Sequence, residues 1–117
     1  MYSSYQFIKI LFLFALLVLH FQDVQASSED QIAFGLAKQN ACLGCHAKNK
    51  KIVGPSFESV AQKYQSDPNA SIFLKNKIAK GGAGSWGVVP MPANAKLSDA
   101  DLSLLTSWIL RGAPTKN

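Results

Sequence analysis

The chain has 117 residues and a formal net charge of +5, from 12 basic and 7 acidic side chains. It contains no internal repeat and no low-complexity tract, and its length predicts one small domain. A domain of this size buries a limited core and often needs disulfides, a metal or a cofactor to be stable.

The amino-terminal segment, MYSSYQFIKILFLFALLVLHFQDVQASS, predicts a secretory signal peptide. Lys9 supplies the positive charge, residues 10–19 form an apolar run, and Ala26 ends the cleavage sequence. An uncleaved membrane anchor is the alternative, but residues 10–19, rising ~1.5 Å each, cover about half of a ~30 Å hydrocarbon core. We therefore expect cleavage after Ala26, export to the periplasm, and a mature domain over residues 27–117.

Four segments of the mature domain predict helices, and strand signals are nearly absent, so the expected fold class is all-α. The first helix begins at Ser28, which forms a capping box with Gln31, and it runs to about Asn40. Its apolar contacts are expected from Ile32, Leu36 and Phe34. Ser56 is the predicted cap of the second helix, whose apolar stripe has four members at helical spacing: Phe57, Val60, Ala61 and Tyr64.

The third helix is predicted from Ala70 to Lys80, with Gly81 as its stop and two apolar residues, Leu74 and Ile78, one turn apart. The fourth begins after Ser98, with acidic residues in its first turn. Its expected core face consists of four residues: Leu102, Leu105, Trp108 and Ile109. Gly112 and Pro114 are predicted to end this helix.

The segment GGAGSWGVVPMPANAKLS, residues 81–98, is too rich in glycine and proline for a helix or a strand. Such a long loop in a small domain is usually functional or disordered. Order is favoured because Trp86, Val88, Val89 and Met91 would be costly to leave in water. Met91 stands between two prolines that stiffen its backbone, which indicates an aimed side chain.

The motif Cys42-Leu43-Gly44-Cys45-His46 holds both cysteines of the chain. A thioredoxin-like redox pair would need a βαβ setting, and a structural zinc site would need about four ligands. A disulfide is chemically possible, but it leaves His46 and the Met91 loop unexplained. Covalent haem attachment is the known meaning of C-x-x-C-H: the two thiols form thioethers and the imidazole ligates the iron. With one histidine in the mature chain, Met91 is the candidate sixth ligand, so this interpretation is favoured.

With these motifs the mature chain resembles the class I monohaem cytochromes c, of the short bacterial cytochrome c-551/c-552 type. The segments that carry the resemblance are Cys42–His46, Val53-Gly54-Pro55, Ser85-Trp86-Gly87, Pro90-Met91-Pro92 and Asn94. The resemblance implies a small cytochrome c fold of about four helices around one covalently attached haem c. It also implies that the Pro55 carbonyl accepts from the His46 ring, that the Trp86 indole bonds a haem propionate, and that the Asn94 amide steadies the Met91 sulfur.

Two positions depart from the family pattern. Relatives often carry arginine where this chain has Lys77, and an ammonium lacks the fork for bidentate binding of a propionate. Relatives often have proline where this chain has Ala93, which slightly loosens the ligand loop. Neither change touches the expected iron ligands, His46 and Met91.

The expected function is that of a monomeric, soluble electron carrier of a respiratory chain, not an enzyme. A peroxidase would need an open iron position and a distal acid or base, and a sensor would normally carry a second domain. A small cytochrome subunit of a larger periplasmic oxidoreductase is the main alternative.

Lysines follow the haem motif and recur on the third helix: Lys48, Lys50, Lys51, Lys75, Lys77 and Lys80. They form either a solvated surface or a positive rim that steers the protein to acidic patches on an oxidase, reductase or peroxidase. Neither nucleic acid nor stable membrane insertion is expected.

Overall fold

The structure, a computed structural model, describes the backbone of residues 2–115 and the side chains of residues 5–15 and 28–115. Its helices are α1 (Tyr2–Gln39), a short 3-10 helix (Cys42–Gly44), α2 (Phe57–Tyr64), α3 (Ala70–Lys80) and α4 (Asp99–Leu110). Within the described range there is no strand, and two isolated β-bridges, His46 with Lys51 and Gly82 with Met91, are the extended pairings. The predicted all-α class is confirmed.

The start predicted for the first helix concerns the mature chain, whereas the structure contains the full chain. Helix α1 does not begin at a cap on Ser28 but runs unbroken from Tyr2 to Gln39. The residues before Ser28 include no proline and no glycine, so nothing in the uncleaved chain stops the helix from extending backwards. The cleavage site predicted after Ala26 lies among the residues whose side chains are not described. Within the described residues, no helix combines the length and the apolar character needed to span a membrane.

The core face of α1 agrees only in part with the prediction. Ile32 is 57% exposed, whereas Ala33 and Ala37 are fully buried. Phe34 is 38% exposed but makes an expected apolar contact, with the Trp108 ring of α4. Leu36 is half-buried beside the core, as expected. Helix α1 packs on α4, and small side chains on the contacting face let two helices approach closely. The sequence analysis missed this face because it weighted large apolar residues above the alanine pair.

The other three helices follow the prediction closely. Helix α3 has the predicted bounds, and Gly81 ends it with a φ of 68°, a left-handed conformation that favours glycine. Ser56 caps α2 by accepting a hydrogen bond from the Ser59 backbone N–H, and Ser98 caps α4 in the same way with Asp101. The predicted apolar residues of α3 and α4 are all buried, as are Phe57 and Val60 of α2.

Helix α4 lies at the centre of the fold, because it packs against α1, α2 and α3. Its Trp108 is 1% exposed and contacts rings on two other helices. The Trp108 ring centroid lies 5.1 Å from that of Phe57 on α2 and 6.3 Å from that of Phe34 on α1. The Trp108 Nε1–H donates to the Pro114 carbonyl at 3.0 Å, so the buried indole has a hydrogen-bond partner. The core is therefore built from aromatic contacts that converge on α4.

The Ser98 cap is expected to stabilise the helix on which the core depends. Ser98→Ala removes the Oγ that accepts from Asp101 N–H at 3.1 Å, so the free energy of unfolding should fall by about 1 kcal/mol. Ser107→Ala, at an exposed position on the same helix, should leave it nearly unchanged. Urea unfolding of the two variants checks this, and equal stability of both would contradict the capping role.

Candidate functional site

One cavity of about 490 Å³ collects nearly all the residues singled out in the sequence. Both cysteines, His46, Pro55, Trp86 and Met91 line it, although they come from separate segments of the chain. Much of the remaining wall comes from core residues of α2, α3 and α4, so the cavity is apolar and backed by the core. Its volume falls in the range of about 300–1,000 Å³ that is usual for cofactor sites.

The two cysteines lie on and beside the 3-10 helix Cys42–Gly44. The turn is closed by two backbone N–H groups that donate to the Cys42 carbonyl, from Cys45 at 3.1 Å and from His46 at 2.9 Å. Both cysteines are half-buried free thiols. Burial raises the pKa of the Cys42 thiol above its usual range. The turn thus presents two cysteine sulfurs and an imidazole to the same cavity.

The ring of His46 is held in one tautomer. Its Nδ1 lies 2.7 Å from the Pro55 carbonyl oxygen. Because a carbonyl can only accept, Nδ1 carries the proton and donates. In a neutral imidazole the other nitrogen, Nε2, then has its lone pair free for a metal. The resemblance implied this Pro55 contact, and the geometry contains it.

Packing fixes the plane of the same ring. The His46 ring stacks on Phe57, with centroids 5.4 Å apart and planes inclined by 22°. On another side lies Gly54, where an added Cβ would come within 2.8 Å of Nδ1 and 2.9 Å of Nε2 of His46. Any side chain at Gly54 would therefore displace the imidazole. The sequence analysis named Gly54 only as part of a motif and did not assign it this role. Its position directly before the acceptor proline was the signal that could have identified it.

Met91 is fixed through its backbone. Its N–H donates to the Gly82 carbonyl at 3.0 Å, and its carbonyl accepts from the Gly82 N–H at 2.9 Å. Gly81 is the position that makes this pairing possible, because a Cβ there would lie 2.8 Å from the Ala93 nitrogen. Met91 itself is half-buried, lines the cavity and packs against the core. The prediction of an aimed side chain in this loop agrees with this placement.

The apolar residues of the loop were expected to be ordered because exposure to water is costly, yet three of them remain exposed. Trp86 is 43% exposed and Val88 is 92% exposed, yet both line the cavity together with Val89. Part of their apolar surface therefore borders the cavity. In the described part of the chain the Trp86 Nε1–H has no hydrogen-bond acceptor, in contrast to that of Trp108, so it is available to a bound group.

Two other candidates take different places. Asn94 does not line the cavity, and its backbone N–H donates to the Ile78 carbonyl of α3 at 3.0 Å, which anchors the far end of the loop. Its proposed role beside the Met91 sulfur stays a prediction. Lys77 does line the cavity, with its Nζ 5.9 Å from the ring centroid of Phe73.

The competing interpretations of the motif find little support in this geometry. The described residues contain no group of three or more His, Cys, Asp or Glu side chains placed to hold a metal ion, as a structural zinc site requires. Both cysteines are free, and the described range has no strand from which a βαβ redox fold could be built. Two thiols, one imidazole nitrogen and one thioether sulfur facing an apolar cavity fit a covalently attached haem.

Comparisons with known proteins agree with this site. The family model described as Cytochrome c matches residues 33–113. Cytochrome c-552 of Hydrogenobacter thermophilus is 47% identical over 75 residues, which cover 64% of this chain and 76% of that protein. The crystal structure of cytochrome c552 of Nitrosomonas europaea is similar with a TM-score of 0.64 and 44% identity, over 67% of this chain and 96% of that one. The class 1 cytochrome MtoD of Sideroxydans lithotrophicus gives a TM-score of 0.61 at 29% identity, over 70% of this chain and 94% of its own.

The chain belongs to the cytochrome c family, as a class I monohaem cytochrome c with the small all-α fold of that class. Membership makes it a haem-based electron carrier, and the family implies a covalently bound haem c.

Gly54 provides a test of how tightly the His46 ring is held. Gly54→Ala places a methyl group against the imidazole, so the free energy of unfolding of the holoprotein should fall by about 1–3 kcal/mol. The matched control is Gly35→Ala on α1, where an added Cβ meets nothing within 4 Å and stability should hold or rise. Denaturant unfolding followed at the haem absorbance measures both. Wild-type stability in Gly54→Ala would show that the ring is not confined there.

Proposed function

We propose that the protein is a periplasmic carrier of single electrons, with His46 and Met91 as the two axial ligands of a haem held by Cys42 and Cys45. The haem iron supplies the one-electron couple between Fe(II) and Fe(III). The observation that carries the proposal is the 2.7 Å contact from His46 Nδ1 to the Pro55 carbonyl, because it leaves Nε2 as the nitrogen with a free lone pair.

Neighbouring residues hold both proposed ligands in position. The stacked ring of Phe57 and the close backbone of Gly54 hold the imidazole in place. The Gly82 pairing holds the backbone of Met91. Ligands that are fixed in advance do not rearrange when the charge of the site changes, so a low reorganisation cost is expected. A methionine paired with a histidine also raises the reduction potential relative to harder ligands.

The same arrangement favours a carrier over an enzyme. Catalysis on peroxide would require an open iron position with an acid or base beside it. Met91 lines the cavity as the proposed sixth ligand, and the titratable side chains in the cavity wall besides the motif are Lys51, Lys77 and the Tyr64 phenol. No carboxylate lines the cavity in the described residues. We therefore propose that the protein is not a peroxidase.

Export to the periplasm is proposed from the leader. The described large apolar side chains of the leader, Phe7, Ile8 and Ile10–Phe14, are more than 60% exposed and take no part in the core. The family match begins only at residue 33. Removal of residues 1–26 would therefore leave the cytochrome domain over residues 27–117 intact.

The partner surface is proposed to be basic. Lys48, Lys50 and Lys51 follow the haem motif, all three are exposed, and Lys51 lines the cavity. Exposed apolar residues, Val53 and Val88, line the same cavity. A positive rim around an apolar centre fits a redox protein with an acidic docking patch.

Covalent attachment through the cysteines can be tested chemically. Thioether bonds survive acid–acetone extraction, so the haem should stay on the wild-type polypeptide. Cys42→Ala combined with Cys45→Ala should yield little holoprotein, and the chain without haem should be largely unfolded in the far-UV spectrum, because core residues of α2, α3 and α4 line the cavity that the haem would fill. Free haem in the extract of the wild type would contradict the attachment.

Substitution of Met91 tests whether its sulfur fills the sixth coordination position of the haem iron. Met91→Ala should lower the reduction potential by on the order of 0.1 V, within the ~0.8 V span that axial ligands set. It should also strengthen carbon monoxide binding and increase peroxide turnover only modestly, because no distal acid or base is supplied. The measurement belongs at neutral pH or below, since a deprotonated lysine such as Lys96 would compete for the position. An unchanged potential and carbon monoxide affinity would show that Met91 is not the ligand.

The basic rim predicts a salt-dependent rate. Electron transfer to an acidic redox partner should slow about tenfold as the Debye length falls from ~30 Å at 0.01 M salt to ~8 Å at 0.15 M. Reversal of Lys48, Lys50 and Lys51 to glutamate should slow the reaction at low salt. Lys38→Glu, an exposed residue on α1 outside the cavity wall, should change it less. A rate that does not depend on salt would leave these lysines as a solvated surface.

A further inference from the structure

The loop that carries Trp86 has few ties to the rest of the protein. Residues 83–90 include two glycines with positive φ, Gly84 at 99° and Gly87 at 118°, and the Gly84 N–H donates to the Gly87 carbonyl within the segment. The Gly82 and Met91 pairing closes the segment at its base. A segment with this backbone needs a further contact if the Trp86 indole is to keep one position.

Lys63, in the last turn of α2, makes that contact. Its Nζ donates to the Ser85 carbonyl oxygen at 2.6 Å, across 22 positions of sequence. In the part of the chain that the structure describes, this is the one hydrogen bond between residues 83–90 and the helices. The same Nζ lies 4.4 Å from the centroid of the Trp86 ring and 5.6 Å from that of Tyr64. Both distances are within the ~6 Å at which a cation is attracted to an aromatic face.

Both contacts draw on the positive charge of Lys63. The ammonium has three donors, so it can bond the carbonyl while it faces the indole, and a charged donor makes the stronger hydrogen bond. The cation–π attraction disappears if the charge is removed, even where a neutral donor of similar length remains. The charge and the reach of the side chain can therefore be separated by substitution.

We propose that Lys63 is a positioning residue of the haem site: its ammonium holds the Trp86 indole against the cavity and places a fixed positive charge beside it. This inference rests on the proposed function, since it concerns how the chain presents Trp86 to the haem. Lys63 does not itself line the cavity, whereas Trp86 does, so it acts through Trp86. A positive charge at this place favours the reduced state of the iron, which carries less positive charge, and therefore raises the reduction potential.

Three substitutions separate the contribution of the Lys63 charge from that of its hydrogen bond. Lys63→Arg keeps the charge and the hydrogen bond, Lys63→Gln keeps a donor without the charge, and Lys63→Met removes both. In the reduced holoprotein, NMR should show the Trp86 indole N–H exchanging roughly three to ten times faster in Lys63→Met than in the wild type. The Trp108 indole N–H, bonded to the Pro114 carbonyl, is the internal control and should not change. The exchange rate of the Trp86 indole N–H in Lys63→Gln should lie between those of the wild type and Lys63→Met, and the rate in Lys63→Arg should match the wild type.

The reduction potential at low salt distinguishes positioning by charge from simple packing. It should fall in Lys63→Gln and Lys63→Met and hold in Lys63→Arg. Lys38→Met, which removes the same charge from an exposed position on α1, should lower it less. Equal exchange and potential in all variants, or an effect of Lys63→Arg as large as that of Lys63→Met, would overturn the proposal. Each variant should first show covalent haem with unchanged ligation; a wild type without it would overturn the proposed function instead.

Discussion

The hydrogen bond between His46 Nδ1 and the Pro55 carbonyl is the interaction on which the site depends. It decides which nitrogen of the ring can bind a metal, and it requires the backbone of the Gly54-Pro55 segment to lie against the imidazole. The same ring stacks on Phe57, and Phe57 in turn contacts Trp108 at the centre of the core. A single run of aromatic contacts thus joins the proposed ligand to the buried face of α4, so the stability of the fold and the position of the imidazole are coupled.

The Met91 side of the cavity is held by different interactions from the His46 side. The imidazole is held by helices and rings, whereas Met91 is held by backbone pairing with Gly82 and by a loop that ends on α3 through the Asn94 N–H. The exposed apolar side chains of that loop line the cavity, where a bound apolar group would cover them. The covalent haem c that the cytochrome c family implies would pack against these side chains and the core residues that line the cavity.

Local signals in the sequence predicted local structure well. The serine caps, the bounds of α3 and the Met91 loop follow from patterns within a few residues. The start predicted at Ser28 belongs to the mature chain and stays a prediction, because Ser28 can cap the helix only if the preceding residues are removed, and in the full chain those residues are helical. The contacts that sequence alone could not supply are long-range. The bond from Lys63 to Ser85 is one of them, since it joins residues 22 positions apart.

The central claim is that one chain supplies both axial ligands, His46 and Met91, to a covalently held haem. The most direct measurement is the visible absorption spectrum of the purified protein in its oxidised and reduced forms. The account predicts a c-type alpha band on reduction and, in the oxidised protein, a weak band near the red end of the spectrum from charge transfer between sulfur and iron. A high-spin oxidised spectrum without that weak band would contradict it, because the sulfur of Met91 would then not be bound to the iron.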